Sequence, residues 1–446
     1  MSPQDSRPAG ARPALTVTAG GLRTSQSPPF TLPIRYMLLG ILSYILFAVD
    51  LLTQLRAVQA NDPGAASVVA LTHALTLGAL LAFVMGAVYQ LSTVAFLIPV
   101  LGQKAARWNF WLYLVAFLGL WHAMQTWSST GFLIFGSMAA IAIWVYCGII
   151  LWSLAKSRVP GPMRWFVVSA HAYLAVAVAV AVLLVLTDGN ATPGLNPWMD
   201  SLIATHIILA VGGFFSFLLM GFSFKLFPMF TLSHGYAAWR EKWTFGLAHI
   251  AVAALLAGVW LHTGWLMAVG ALCGAGALGN HLWYLRSVMK KRMRKVLEPP
   301  IIGVVTAAAL GMAALLAFTV LIALRQAQSD IQSVVSFYLW GCVTLTVMSY
   351  TYKIIPFLVW SERYGPRSGK EKVPLMSQLL PLKYSVPVFY AFAAGVAATS
   401  IAVPLRAVWA VAAGCGLVSA ALIAFAVEVL YVINIRKVWR EFLRAS

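Results

Sequence analysis

The residues of this sequence best suited to hold a metal or a haem are its eight histidines: His73, His122, His171, His206, His234, His249, His262 and His281. Such chemistry needs neutral imidazoles converging on one point, with an acceptor for the ring nitrogen that faces away. The four cysteines, Cys147, Cys273, Cys342 and Cys415, lie in apolar stretches without a CxxC pair. That pattern argues against a disulfide framework and against a thiolate zinc site. Two Lys-x-x-Pro elements, Lys225 with Pro228 and Lys353 with Pro356, and the acidic Glu428 complete the polar residues set in apolar surroundings. Intramembrane ionisable groups of this kind serve proton or ion paths or, near helix ends, snorkel to the interface. CxxCH, HExxH, a Walker loop and GxGxxG after a strand are all missing, so covalent haem, zincin and nucleotide chemistry have no sequence support.

The elements that must position these residues follow from composition. Of 446 residues 61% are hydrophobic and only 10% charged, with mean hydropathy +0.84, which excludes an ordinary soluble globule. The expected fold is all-α, a polytopic membrane protein in the lipid bilayer. Twelve transmembrane helices are expected at about 33–55, 68–100, 109–128, 131–156, 163–187, 199–232, 243–263, 265–288, 299–324, 330–361, 380–402 and 405–435. Residues 1–30, rich in Pro, Ser, Gly and Arg, read as a disordered tail without a cleavable signal, and 31–446 as a single domain. Tryptophans such as Trp108, Trp121, Trp127, Trp198 and Trp360 mark the helix ends.

The net charge of +19 tracks the loops rather than a face or an arm, which excludes nucleic acid as partner. Lys104, Arg107, Lys156, Arg158, Arg240, Lys242, the run Lys290 to Lys295, Arg363, Arg367, Lys370, Lys372, Arg436, Lys437, Arg440 and Arg444 follow even-numbered helices, and Arg7, Arg12 and Arg23 lie in the tail. Only Arg56, Arg325 and Arg406 lie on the other side. By the positive-inside rule both termini face the cytoplasm, in a multi-pass inner-membrane protein.

The chain also repeats itself. Aligning Gly213 of helix 6 with Gly341 of helix 10 brings Met220 onto Met348, Lys225 onto Lys353 and Pro228 onto Pro356. In helix 2, Gly78, Met85 and Tyr89 fit the same register. Cys147, His281 and Glu428 each stand nine residues before a lysine, in helices 4, 8 and 12, and helices 3 and 7 share GLWH (Gly119 to His122) and GVWLH (Gly258 to His262). The repeating unit is four helices, giving three pseudo-threefold arcs: 3–6, 7–10, and 11–12 joined to 1–2. This is not the six-plus-six division of major-facilitator carriers.

With the helix 2 segment Thr72 to Leu91, this plan resembles subunit I of the haem-copper oxidase superfamily, nearest its cbb-type, nitric oxide reductase and NnrS-like branches. The resemblance implies haem b on His73, where the family carries its low-spin haem ligand, with His122, His206 or Met348 as a second ligand. It implies copper at His206 and His262, although Thr263 follows His262 where the family has a second histidine. Helix 10 departs further: Ser333, Val334, Val335 and Ser336 occupy the turn that holds two histidines in the family. Oxygen reduction at a two-haem centre is therefore not expected. The expected function is haem or copper binding for redox, respiratory or nitric-oxide-related work, with a membrane or periplasmic electron donor. The rival is a non-enzymatic transporter or assembly factor on the same scaffold. Residues equivalent under a threefold axis point into different pores, so Cys147, His281 and Glu428 should not form one site, and His122 and His262 should stay apart. Glu428, Lys225 and Lys353 are candidates for a proton or ion path, with a salt link for Glu428 and snorkelling lysines as the structural alternatives.

Overall fold

Apolar runs of this length have one way to satisfy their backbone in lipid, which is to bond within themselves as helices. A computed structural model describes residues 27–434 except 160, 295, 326, 381 and 382, and leaves the side chains of 327–329 undescribed. The expected tail over 1–26, Lys295, and the basic residues Arg436, Lys437, Arg440 and Arg444 lie outside the described residues.

Twelve long helices follow in order among the described residues: α1 Thr31–Thr53, α2 Ala66–Ala95, α3 Gln103–Thr126, α4 Ser129–Ala155, α5 Pro162–Asp188, α6 Pro193–Thr231, α7 Arg240–Trp260, α8 Gly264–Lys290, α9 Pro299–Ala323, α10 Asp330–Arg363, α11 Ser385–Ala402 and α12 Val408–Ile433. Eleven are long and apolar enough to cross a membrane. The other, α3, is long enough at 24 residues, but Asn109, His122 and its Trp and Tyr residues dilute its hydropathy. The protein is thus an all-helical, multi-pass membrane protein. Its mid-helix surface agrees, with Ile141, Val176 and Ile250 each at least half exposed.

Several boundaries differ from expectation for local reasons. Helix α2 ends at Ala95 rather than 100, because Leu97 takes φ 54° and Pro99 cannot extend the helix. Helix α3 starts early, at Gln103, behind Gly102 at φ 67°. Helix α6 begins with a 3-10 turn over Pro193–Trp198. The last residues assigned to the tail are seated: Ser27 bonds Gln90 at 3.4 Å and Thr93 at 3.5 Å on α2.

Packing partners group the helices. Helix α1 lies against α2 and α12, and α12 against α11; α3 to α6 pack in sequence, as do α7 to α10. The most enclosed windows belong to α2 (72% buried), α6 (67%), α10 (61%) and α1 (61%), so α2, α6 and α10 each line the interior for their group. Three corresponding contacts join the groups. Tyr89 of α2 meets Tyr146 of α4 edge-on at 5.6 Å, and Phe224 of α6 meets His281 of α8 at 4.9 Å. Tyr352 of α10 donates to Glu428 of α12 at 2.7 Å. Tyr89, Phe224 and Tyr352 occupy one position in the register that aligns Gly78, Gly213 and Gly341.

In that same register all three inner helices open into π turns, over Ala74–Leu81, Ile208–Phe215 and Leu339–Thr344. Such segments shift the carbonyl ladder by one residue and free groups that need other partners. The equivalent hydroxyls of Ser216 and Thr344 each donate five residues back, to Val211 O at 2.7 Å and Leu339 O at 3.0 Å. In α2, Tyr113 of α3 reaches across to Leu77 O at 2.8 Å.

The two Lys-x-x-Pro elements diverge. Lys225 is exposed, as snorkelling requires, but Lys353 is only 5% exposed and forms an ion pair with Glu298, which also pairs with Arg294 at 2.6 Å. Lys353 therefore does not snorkel; its charge is neutralised inside the bundle. Glu428 accepts from Tyr352 rather than from a basic residue among those described. Glu298→Ala leaves the Lys353 ammonium enclosed without a counter-charge and should cost about 3 kcal/mol or more. Glu298→Ala with Lys353→Met should recover much of that loss, as read by thermal unfolding in detergent. Equal stability of single and double variants would contradict this role.

Candidate functional site

At the end of the bundle opposite the start of α1, the π turns of α2 and α6 begin directly after two histidines. His73 immediately precedes Ala74, and His206 stands two residues before Ile208. Their rings are nearly parallel, 18° apart, with centroids separated by 6.3 Å. Each is oriented from behind. His73 Nδ1 lies 2.8 Å from Val69 O one turn back, and His206 Nδ1 lies 2.9 Å from Ala177 O of α5. A carbonyl at Nδ1 holds the proton there and presents Nε2 as a lone pair. Neither Nε2 has a hydrogen-bond partner among the described residues.

The turns carrying the pair are tied to their neighbours. Thr72 and Thr76 donate back along α2 at 2.8 and 2.9 Å, and a Cβ at Gly78 would lie 2.3 Å from Phe117, so only glycine lets α3 approach α2 here. On α6, Trp260 of α7 donates to Thr205 Oγ1 at 3.0 Å and stacks on Trp198 at 5.7 Å. Both histidines keep some accessible surface, and a Cβ at Gly212 would meet no atom within 4 Å, so there is open space beside the α6 π turn.

The pair's spacing has a chemical meaning. With a metal–nitrogen bond of about 2.0 Å and about 1.1 Å from nitrogen to ring centre, two imidazoles that share one metal have centroids up to about 6.2 Å apart. Among the described residues no group of three or more His, Cys, Asp or Glu side chains converges. Two nitrogens do not complete the four-ligand shell of a structural zinc. They do suit a group that brings its remaining ligands with it, as haem does.

The other expected ligands are not joined to this pair. His122 is exposed on α3, and His262, at φ 49° just past α7, is exposed and stacks on Trp198 at 6.3 Å. No hydrogen bond or ring contact among the described residues links His122 to His73 or His262 to His206. In the two Trp-His motifs it is the tryptophan that engages the bundle: Trp260 bonds Thr205, and Trp121 Nε1 bonds Asp50 at 3.4 Å. Asp50, 6% exposed on α1, also accepts from Gln125 at 3.0 and 3.1 Å. Sequence reasoning passed over this carboxylate and named only Glu428; its place three residues before the end of α1 was the available signal. Of the remaining histidines, His171 bonds Val167 O and Tyr146, and His249 bonds Tyr173 and Ser169, leaving neither ring nitrogen free. His234 is exposed. His281 is 3% exposed with an unpartnered Nδ1 and borders a cavity of about 20 Å³ with Ser216, Tyr338 and Cys342.

Compared with family models and with curated proteins, the chain matches none.

Tyr113→Phe removes the donor that satisfies the Leu77 carbonyl inside the α2 π turn. The expected cost is about 1–2 kcal/mol in thermal unfolding, since a buried acceptor is left unmet. A variant as stable as the parent would mean that the π turn satisfies itself.

Proposed function

We propose that this protein is a membrane haem protein in which His73 and His206 would hold a single haem b, on a scaffold like subunit I of the haem-copper oxidases. The reading rests on one observation: two near-parallel imidazoles 6.3 Å apart, each anchored through Nδ1 to a backbone carbonyl. Scaffold support comes from the three packing groups, the corresponding contacts at Tyr89, Phe224 and Tyr352, and the π turns recurring in one register.

This assignment differs from the plan of the family it resembles. The second histidine that would hold the haem comes from α6 rather than α10, whose corresponding turn holds Ser333 and Ser336. His206 is thereby used by the haem, and copper has no proposed site with His262. Held by two histidines of the protein, the group would supply one-electron transfer rather than gas binding. Val69 and Ala177 hold the imidazoles in one tautomer, and the Trp260–Thr205 bond keeps the His206 turn from rotating. The role is accordingly redox and respiratory or nitric-oxide-related, in the inner membrane with both termini in the cytoplasm, receiving electrons from a membrane or periplasmic donor.

The test is a dithionite-reduced minus oxidised spectrum of protein made with haem supplied and purified in mild detergent. The parent should carry about one haem per chain. His73→Ala and His206→Ala should each lose most of the Soret band, while His122→Ala and His262→Ala keep it. A colourless parent, or haem retained in both ligand variants, would refute the assignment and favour the transporter or assembly reading.

A further inference from the structure

Helices α1 to α4 bring four phenols into the bundle interior: Tyr36, Tyr89, Tyr113 and Tyr146, each at most 1% exposed. Three of them belong to a continuous row of ring contacts. From Trp111 of α3, 40% exposed, the row runs through Phe110, Tyr36 and Tyr89 to Tyr146 and ends at His171 of α5. Successive centroids are 5.2, 5.1, 5.6, 5.6 and 5.3 Å apart. Tyr36 donates to Ala106 O at 3.0 Å and Tyr113 to Leu77 O at 2.8 Å, and amide carbonyls do not take up a proton. The Tyr89 hydroxyl has no hydrogen-bond partner among the described residues. Tyr146 differs from all three. His171 Nδ1 donates to Val167 O at 2.7 Å, which fixes the tautomer and leaves the lone pair on Nε2, 3.1 Å from the Tyr146 hydroxyl. A phenol donor thus faces a neutral imidazole acceptor, and both side chains are fully buried.

We infer that Tyr146 is a one-electron redox centre, with His171 as the acceptor of its proton and the row of rings as the path of its electron. A one-electron outer-sphere oxidant at the Trp111 surface gains the electron that Tyr146 loses. The phenolic O–H bond breaks as its proton forms an N–H bond at His171 Nε2, leaving a neutral phenoxyl radical hydrogen-bonded to an imidazolium. Re-reduction of the phenoxyl returns the proton along the same bond. Without a base beside it, a buried phenol would have to hold the positive charge itself in apolar surroundings, a cost that the histidine removes. Enclosure keeps water and other reactants from the radical. The rings touch in edge-on and tilted pairs, so the electron crosses in short steps, with Phe110 bridging the exposed indole to Tyr36. Tyr173 also bonds a histidine, His249, at 2.7 Å, but it is only partly buried, and no ring contact among the described residues joins it to Tyr146. None of these residues belongs to the haem assignment, so the inference stands apart from it.

The experiment is electron paramagnetic resonance of the full chain in detergent, frozen during illumination with tris(bipyridine)ruthenium and a cobalt(III) ammine as terminal electron acceptor. The photo-oxidised ruthenium complex is the one-electron oxidant. The parent should give a phenoxyl signal whose splitting collapses when the protein is made with ring-deuterated tyrosine. At high field its largest g value should lie at the lowered position of a phenoxyl that accepts a hydrogen bond. Tyr146→Phe should lose the signal and Tyr173→Phe should keep it. His171→Gln still offers the phenol a hydrogen-bond acceptor but no base, so radical formation should slow by about a hundredfold. A purely structural histidine would leave that rate unchanged. Trp111→Leu, at the exposed end of the row, should also slow formation. No phenoxyl signal in the parent, or the g value of an unbonded phenoxyl, would overturn the inference whether or not the variants fold. So would a signal that survives Tyr146→Phe or vanishes in Tyr173→Phe, or formation as fast as the parent's in His171→Gln or Trp111→Leu. His73→Ala should give the same phenoxyl signal, which separates failure of this centre from failure of the haem assignment.

Discussion

A polar group carried into an apolar bundle must find its partner on another helix, because lipid offers none. The rest of this structure depends on that constraint. Asp50 of α1 is answered by Trp121 and Gln125 of α3, Glu428 of α12 by Tyr352 of α10, and Lys353 of α10 by Glu298 at the start of α9. Ser223 of α6 is matched by Tyr350 of α10 at 2.7 Å, and Ser419 of α12 donates to Ala48 O of α1 at 2.8 Å. Hydrophobic burial distinguishes helix from lipid only weakly inside a bilayer, so small side chains and cross-helix bonds of this type choose neighbours and register. Among the described residues some buried groups stay unanswered, the hydroxyls of Tyr44, Tyr89 and Ser92 and Nδ1 of His281 among them.

The π turns connect that constraint to the site. Widening the backbone at one level of α2, α6 and α10 displaces carbonyls that Tyr113, Ser216 and Thr344 then satisfy. A helix with such a segment can turn the residues before it and the residues after it to different faces. In α2 and α6 the residues before it include the two histidines, whose rings lie 6.3 Å apart, while the residues after it pack into the enclosed centre. In α10 the corresponding turn bears serines.

Much of this was legible in the sequence. The apolar runs and the charge asymmetry between loops mark the twelve helices, because both follow from the bilayer and need no tertiary information. The repeat through Gly78, Gly213 and Gly341 aligned residues that occupy corresponding contacts. His73 and His206 stand out as ionisable residues in inner spans, and their approach follows from topology. Pairings decided by tertiary packing were not legible. Lys225 and Lys353 share a motif, yet one reaches the surface and the other a buried carboxylate, because Glu298 sits beside only the second. The histidines of the GLWH and GVWLH motifs drew attention that belonged to their tryptophans. Nothing in local sequence announces a π turn, since its cost is met by hydroxyls on the next turn or on another helix.

The most direct test of the histidine pair is low-temperature electron paramagnetic resonance of the oxidised, purified protein. Two imidazoles with planes 18° apart, bound to one ferric iron, give a rhombic low-spin spectrum. That spectrum is the result the haem proposal predicts. A high-spin ferric signal would mean that at least one of the two histidines is not a ligand. No ferric haem signal at all, from protein produced with haem supplied, would contradict the account outright.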